Sequence, residues 1–448
     1  MTRPNSITTN YTYDSLSRLL SVLHQAGGST IDGATYTVDA AGNRTSKQDW
    51  LAGVTSNYTY DAIYQLTQVT QGTNTTESYS YDPVGNRLSS LGVSSYSYNA
   101  SNELTSIAGG ASYTYDTNGN ATSKTDSTGT TNYTWDFENR LTSVTLPGSG
   151  GTVSFKYDPF GRRIYKSSPS ATCILAYDGD NLVVEANGSG ATIASYSQGV
   201  GIDEPLAMER SSASSFYEVD GLGSITSLTN STGSVVQTYV YDSFGAQKGS
   251  SGTLTNPFRF TAREFDTESN LYYYRARNYD QSSGRFLSED PIGFDGDSPD
   301  FYVYALNNPA ANIDPTGMVS VCCRRVKSTL YIFCHCSILL NDGKTTLGGY
   351  RFGLRLRPVP NDPDDSPGSK RSHCKVVPGS AGCDADSKLL KAFEDVMRAT
   401  PPKGWRYATD ADSNTIPAEV LRRAGFDFNF PRCAYGSRWS LPRHKDKR

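Results

Sequence analysis

One short pattern, an aromatic residue, a spacer, a second aromatic residue and then Asp, returns along the first third of the chain. It opens as YTYDSLSRL at Tyr11. It comes back as YTVDAAGNR at Tyr36, YTYDAIYQLT at Tyr58, YSYDPVGNRL at Tyr79, YSYNASNELT at Tyr96, YTYDTNGNAT at Tyr113, YTWDFENRLT at Tyr133 and FKYDPFGRRI at Phe155. The turn residues Asp14, Asp39, Asp61, Asp82, Asn99, Asp116, Asp136 and Asp158 lie 17 to 25 residues apart. Such a period marks stacking units, none of which can bury its own apolar face without neighbours. Within a unit the alternating aromatics predict a strand with one ringed face. The Asp bonds back to the backbone to turn the chain, and Gly-Asn or an equivalent supplies a positive φ. Each unit is therefore read as a strand, a turn and a returning strand.

Composition agrees with a mainly β protein. The 448 residues include 30 Tyr against 17 Phe and 4 Trp, with 41 Gly, which suits many short strands joined by turns. Apolar content of 36% is low for a compact core and fits sheets with one solvated face. The length calls for two or more units. From Ala171 to Lys248 the pattern loosens and then returns, with DGLGS at Asp220 and YDSFG at Tyr241.

The stretch from Pro257 to Met318 is different in kind. It reads PFRFTAREFDTESNLYYYRARNYDQSSGRFLSEDPIGFDGDSPDFYVYALNNPAANIDPTGM. It resembles the core segment that closes the RHS (rearrangement hotspot, YD-repeat) proteins of bacteria, and with the repeats the resemblance covers roughly residues 10 to 318. It implies YD-repeat β-hairpins stacked into a spiralling sheet, here a partial shell because the repeats are few. That shell would enclose a variable C-terminal segment, often a toxin. Three regions follow: a repeat shell over 1–256, a core over 257–318 and a variable effector-like domain over 319–448. The resemblance also makes Asp290 and Asp314, each followed by Pro, the catalytic pair of an autoproteolysis that cuts between Met318 and Val319. Two carboxylates brought together share a proton, so one can act as base on water and the other as acid. Met318 stands where the family has Leu, a similarly long apolar side chain. Arg275, Arg277 and Arg285 are candidate partners for carboxylates nearby.

Charge and cysteine change at the same boundary. Residues 319 to 448 hold 23 Lys and Arg against 13 Asp and Glu, and seven of the eight cysteines, while the whole chain is at −4. The tail is expected to be a small α+β domain: a hairpin of Ser328–Leu340 with Leu347–Val359, then helices over Asp384–Thr400 and near Ser413. A His on a strand ahead of a small polar residue at a helix start resembles the circularly permuted papain-like hydrolases. His335 and Ser413 take the matching positions, with Ser where that family has Cys. Cys-Cys and Cys-x-Cys are poor metal hooks, so disulfides are the default reading and no metal or cofactor is assigned. The basic tail leaves nucleic acid open as a partner. The family resemblance adds an immunity protein and a secretion apparatus. No N-terminal signal pattern and no membrane span are visible, which points to a secreted or surface protein exported without a signal peptide. The contrasting reading is a surface YD-repeat protein that adheres to carbohydrate and carries no enzymatic cargo.

Overall fold

The computed structural model describes residues 1–293 and 298–316, and beyond them only the backbone of six strands between 320 and 406. Among the described residues the structure is strands and turns, with two short 3-10 turns. The chain divides into two compact units, one made of Met1–Glu289 with Ser298–Thr316, the other of the remainder.

In the first unit every repeat is an antiparallel hairpin, and within each of two sheets successive hairpins pair with one another. Eight strands from Ile7–Tyr13 to Arg87–Ser90 form one sheet in sequence order, and sixteen from Tyr96–Tyr98 to Gln247–Ser251 form another. A four-stranded sheet follows in the core, from Glu264–Asp266 to Arg285–Phe286.

The turn works as the sequence predicts, and its atoms can be named. Asp82 Oδ1 accepts the backbone N–H of Val84 at 3.0 Å and of Asn86 at 2.9 Å, while Oδ2 accepts the Asn86 side-chain amide at 3.0 Å. Asp116 repeats this with Asn118 and Asn120. Asp136 and Asp158 repeat it with Arg140 and Arg162 as the side-chain donors. In these four turns the residue four places after the Asp supplies the side-chain donor, whereas at Asp242 that place is Ala246 and Lys248 meets the free carboxylate oxygen instead. Gly85 at φ +99° shows why glycine is favoured one place earlier, since that backbone is strained for any residue with a Cβ. At Asn99 the roles are exchanged: the amide of Asn99 donates to Glu103, which stands where the other seven repeats have Asn, Gln or Arg.

A second device links one repeat to the next. After each turn the ladder slips by a residue, as between Ser80 and Tyr81 or Lys156 and Tyr157. The carbonyl of the residue five places after the Asp is then taken by the Tyr of the next Tyr-Asp pair. Tyr60 donates to Arg44 O at 2.6 Å, Tyr81 to Leu66 O at 3.0 Å, Tyr98 to Arg87 O at 2.8 Å and Tyr157 to Leu141 O at 2.7 Å. In the seventh repeat Trp135 serves instead, its indole N–H reaching Ala121 O at 2.7 Å. The aromatic two places earlier turns inward, with Tyr113, Tyr133 and Phe155 buried.

The second unit holds a six-stranded sheet ordered Ser372–Val376, Ser320–Lys327, Ile332–Leu339, Thr346–Phe352, Arg355–Pro360 and Trp405–Arg406. One expectation is corrected here. Leu347–Val359 is not one strand but two, which pair with each other from Leu347 opposite Pro360 to Phe352 opposite Arg355. Alternation of side chains persists through a tight hairpin, so period alone did not mark the reversal. The expected helices at Asp384–Thr400 and near Ser413 lie outside the described residues.

The exchanged pair makes a test of the turn chemistry. Asn99→Asp sets two carboxylates against each other and is expected to cost up to about 1 kcal/mol at neutral pH. Adding Glu103→Asn rebuilds the Asp–Asn pair of the other repeats and should return the loss. Thermal melts of the single and double variants check this, and equal melts for both would count against the assignment.

Candidate functional site

Arginines fasten the core segment to the repeats alongside apolar packing, as where Leu66 and Val69 cluster with Phe265, Tyr272 and Tyr279. Leu66, Leu104, Leu141 and Ile225, each five places after a turn residue, are buried; Leu66 clusters with Phe260, Tyr272 and Tyr304 of the core, Leu141 with Leu271 and Leu287, and Ile225 with Phe258 and Ala262. In three repeats the same position is Arg. Arg163 pairs with Asp266 at 2.5 Å and Glu264 at 3.0 Å, Arg87 donates to Ser283 O at 3.1 Å, and Arg44 donates to Ala310 O at 3.0 Å. Lys166 adds a second cation to Asp266 at 3.1 Å. Sequence reading missed this role, although the signal was present as the Arg closing GNRT, GNRL and GRRI.

Between these anchors the tyrosines of LYYYRARNYD form an aromatic cluster. Tyr272 stands opposite Tyr279, which stands opposite Phe286, and the Tyr279 and Tyr304 rings lie 4.7 Å apart. Each buried hydroxyl is satisfied: Tyr279 donates to Phe244 O at 2.7 Å, Tyr272 to Gly245 O at 3.1 Å, and Tyr274 shares a 2.8 Å bond with Thr261. Phe244 and Gly245 belong to the YDSFG turn, so that repeat is fastened to the core.

From Asp300 the chain runs back across the repeat turns as a strap. Arg285 holds both Asp300 oxygens, at 2.8 and 2.9 Å. Tyr302 then donates to Gly119 O at 2.8 Å, Asn307 to Gly85 O at 2.8 Å and Asn308 to Asn43 Oδ1 at 3.1 Å. The acceptors are turn residues of three repeats. Ala305, Leu306 and Asn307 all have positive φ, between 52° and 57°. For Ala and Leu this costs on the order of 1 kcal/mol each, held only by the surrounding bonds.

The strap delivers Asp314. Its carboxylate lies 2.7 Å from Arg277, which is buried and stacks on the Phe286 ring at 3.7 Å. One residue on, Pro315 O accepts a 3.0 Å hydrogen bond from Arg275. Asp290 opens a tight turn, its Oδ1 accepting Ile292 N–H at 3.1 Å and its carbonyl accepting Gly293 N–H at 2.9 Å. All three arginines singled out from sequence thus engage a carboxylate, Arg275 doing so through Asp203 at 2.7 Å. Met318, Val319 and Ser413 lie outside the described residues. His335 lies on the strand Ile332–Leu339, opposite Arg324.

Hairpins built on Tyr-Asp turns, fastened by arginines to a tyrosine-rich closing segment, define a YD-repeat shell protein. The chain belongs to the family described as Teneurin YD-shell, whose profile matches residues 50–308. The tRNA nuclease WapA of Bacillus subtilis is 35% identical over 317 residues, covering 68% of this chain and 12% of that protein. The double-stranded DNA deaminase toxin A of Burkholderia cenocepacia is 28% identical over 316 residues, covering 63% of this chain and 22% of the toxin. This chain thus spans under a quarter of the length of these curated relatives. Among solved structures, a TcdB2-TccC3-Cdc42 complex matches with a TM-score of 0.57 at 20% identity, covering 70% of this chain and 18% of the other, and shows the shared fold. Among the described residues no helix is long and apolar enough to cross a membrane.

The buried ion pairs give the unit an acid limit. Burial pushes the carboxyls of Asp203, Asp220, Asp266 and Asp280 up, but neighbouring cations outweigh it and hold all four below the ordinary Asp value. The cations are Arg263 and Arg275, Lys47 and Arg44, Arg163 and Lys166, and Lys124 respectively. Folded values below the unfolded one, about 3.9, mean stability that is complete above that pH and lost as pH falls through the folded values. Asp32 and Glu77, raised by burial, act with the opposite sign. The unit is therefore expected to loosen below about pH 4. Arg163→Ala, which removes the closest cation from two buried carboxylates, should cost about 3–5 kcal/mol at neutral pH. Melting curves from pH 7 to pH 2 test both, and an Arg163→Ala melt equal to the wild type would contradict the anchoring role.

Proposed function

We propose that this chain is an RHS-type toxin component in which the YD-repeat shell of residues 1–256 and the core of 257–318 enclose the domain of 319–448. Release follows from aspartyl autoproteolysis after Met318. The observation that carries the reading is the pinning of the exit segment, with Asp314 on Arg277 and Pro315 O on Arg275. The Met318–Val319 bond lies four residues beyond Asp314 in the chain. In the proposed step one carboxylate of the Asp290 and Asp314 pair takes a proton from water as its oxygen bonds to the Met318 carbonyl carbon. The other carboxyl protonates the Val319 nitrogen as the C–N bond breaks.

For the released domain two activities are supported by separate observations. The papain-like reading, with His335 as base and Ser413 as nucleophile, is supported by the strand that carries His335. A domain acting on nucleic acid is supported by the excess of Lys and Arg in the tail and by relatives whose names describe action on tRNA and on double-stranded DNA. Either cargo calls for a secretion route and for an immunity protein in the producing cell.

Intact mass after expression tests the release. Wild type is expected as two fragments divided after Met318, and Asp290→Asn and Asp314→Asn as single chains. A whole wild-type chain would overturn the reading. With the fragment of 319–448 in hand, loss of its toxicity in both Ser413→Ala and His335→Ala selects the hydrolase. Toxicity unchanged in both, with cellular nucleic acid degraded or edited, selects the other.

A further inference from the structure

Arg275 stands in an unexpected place. Tyr274 pairs with Arg277, so Arg275 and Ala276 form a two-residue hairpin loop, and Arg275 has φ +59°. A positive φ at the first residue of such a loop is the position glycine ordinarily takes. Its partner is strained too, since Asp203 has φ +60°. Two residues in unfavourable backbone conformations, 72 positions apart, meet in a two-pronged ion pair: Arg275 Nη2 to Asp203 Oδ1 at 2.7 Å and Nη1 to Oδ2 at 3.1 Å. Strain of this kind persists where the surroundings over-determine it, and its recurrent purpose is to hold a functional geometry.

The surroundings do over-determine it. Arg263 donates to Asp203 Oδ1 at 2.5 Å, and its Nη2 is anchored on Tyr273 O at 2.8 Å, next to the loop. Arg275 Nη2 also reaches Asp180 O at 3.1 Å. With its guanidinium fixed in plane and direction by a carboxylate, Arg275 has one further hydrogen bond, from Nη1 to Pro315 O at 3.0 Å. A bidentate fork fixes the direction of that bond as a lysine could not. The ion pair makes no contact with Asp314, whose carboxylate belongs to Arg277.

We propose that Asp203 and Arg275 are positioning residues for the cleavage, a clamp on the Pro315 carbonyl that sets the direction in which the chain leaves the core toward the Met318–Val319 bond. The proposal rests on the autoproteolysis reading above. Neither residue exchanges a proton or touches the reacting atoms. The clamp lowers the barrier by restricting the exit segment to a geometry in which the bond can be attacked, an effect that small displacements abolish.

The test follows cleavage in time, with pulse-labelled full chain made by cell-free translation and the 319–448 fragment counted across pH 5 to 8. Arg275→Gly is the informative variant, because it removes the side chain and relieves the backbone strain together. Cleavage should slow at least tenfold with the midpoint of its pH profile unmoved. Melting of the uncleavable Asp290→Asn shell should fall only modestly when Arg275→Gly is added, because Asp203 keeps Arg263 and the loop loses its strain. Arg275→Lys, which can reach Pro315 O without forking Asp203, should fall between glycine and wild type, and Asp203→Asn should slow cleavage as well. Arg275→Gly cleaving at the wild-type rate overturns the clamp. A slowed rate that returns to the wild-type value when cleavage is followed well below the variant's melting temperature assigns the pair to stability alone and overturns it too. A wild type that never cleaves sinks the autoproteolysis reading itself, an outcome separate from either.

Discussion

A carboxylate that accepts two backbone amides and one side-chain donor is the interaction on which the rest of this structure depends. Each Asp turn satisfies the polar groups of a tight reversal that would otherwise compete for water. The ladder slip beside it leaves a carbonyl open, and the hydroxyl of the next repeat's Tyr accepts the task of closing it. Turn and linkage are therefore one device, since the Asp sets the slip and the Tyr uses it to fix the next hairpin. The Tyr-Asp dipeptide recurs because neither residue serves its neighbour without the other. The exchange at Asn99 and Glu103 shows that the constraint is on hydrogen-bond polarity and not on residue identity.

The same position that closes the sheet also attaches the core. Where the residue five places after the Asp is Leu or Ile, it packs inward, and Leu66, Leu141 and Ile225 do so against apolar side chains of the core. Where it is Arg, the guanidinium leaves the sheet and pairs with core carboxylates or carbonyls, as Arg163 does with Glu264 and Asp266. A repeat protein without such exceptions would be a uniform sheet with no preferred place for a closing segment. Arg44, Arg87 and Arg163 break the uniformity at three places and so give residues 257–316 one register on the repeats. Removing any of these cations leaves buried acceptors or carboxylates without their partner, which makes the placement specific as well as stable.

These levels were not equally legible in sequence. The turns could be read because Asp, Gly and Asn act within five residues of one another, and the unit of the argument fits inside the unit of the pattern. The core was recognised by resemblance, and its tyrosines could be expected to bury. The strap's partners could not be read, because Asn307 meets Gly85 and Asn308 meets Asn43 across more than 200 residues, with nothing local to record the pairing. Arg275 was noticed as a cation near carboxylates, but its left-handed backbone was hidden, since no sequence rule assigns that conformation to arginine. Leu347–Val359 failed for the opposite reason: its alternation was real, and it describes two antiparallel strands as well as one.

Non-glycine residues take positive φ at several places in this unit, among them Tyr64, Thr261, Ala262, Arg275 and the run from Ala305 to Asn307. Ala305 and Leu306 hold conformations they disfavour so that Asn307 and Asn308 meet the repeat turns, and Arg275 takes a glycine's place so that its guanidinium meets Pro315. Sequences that fold to one structure tend to agree with themselves at every level, and departures concentrate where geometry serves something other than stability. The repeats supply the surplus of buried hydrogen bonds and ion pairs against which these departures can be held. A shorter or looser sheet would let Ala305, Leu306 and Arg275 relax into ordinary conformations, and the hydrogen bond from Arg275 to Pro315 O would lose its fixed direction. The regularity of the repeats and the irregularity of the strap are a single requirement: a rigid frame is needed wherever a strained peptide must be held still.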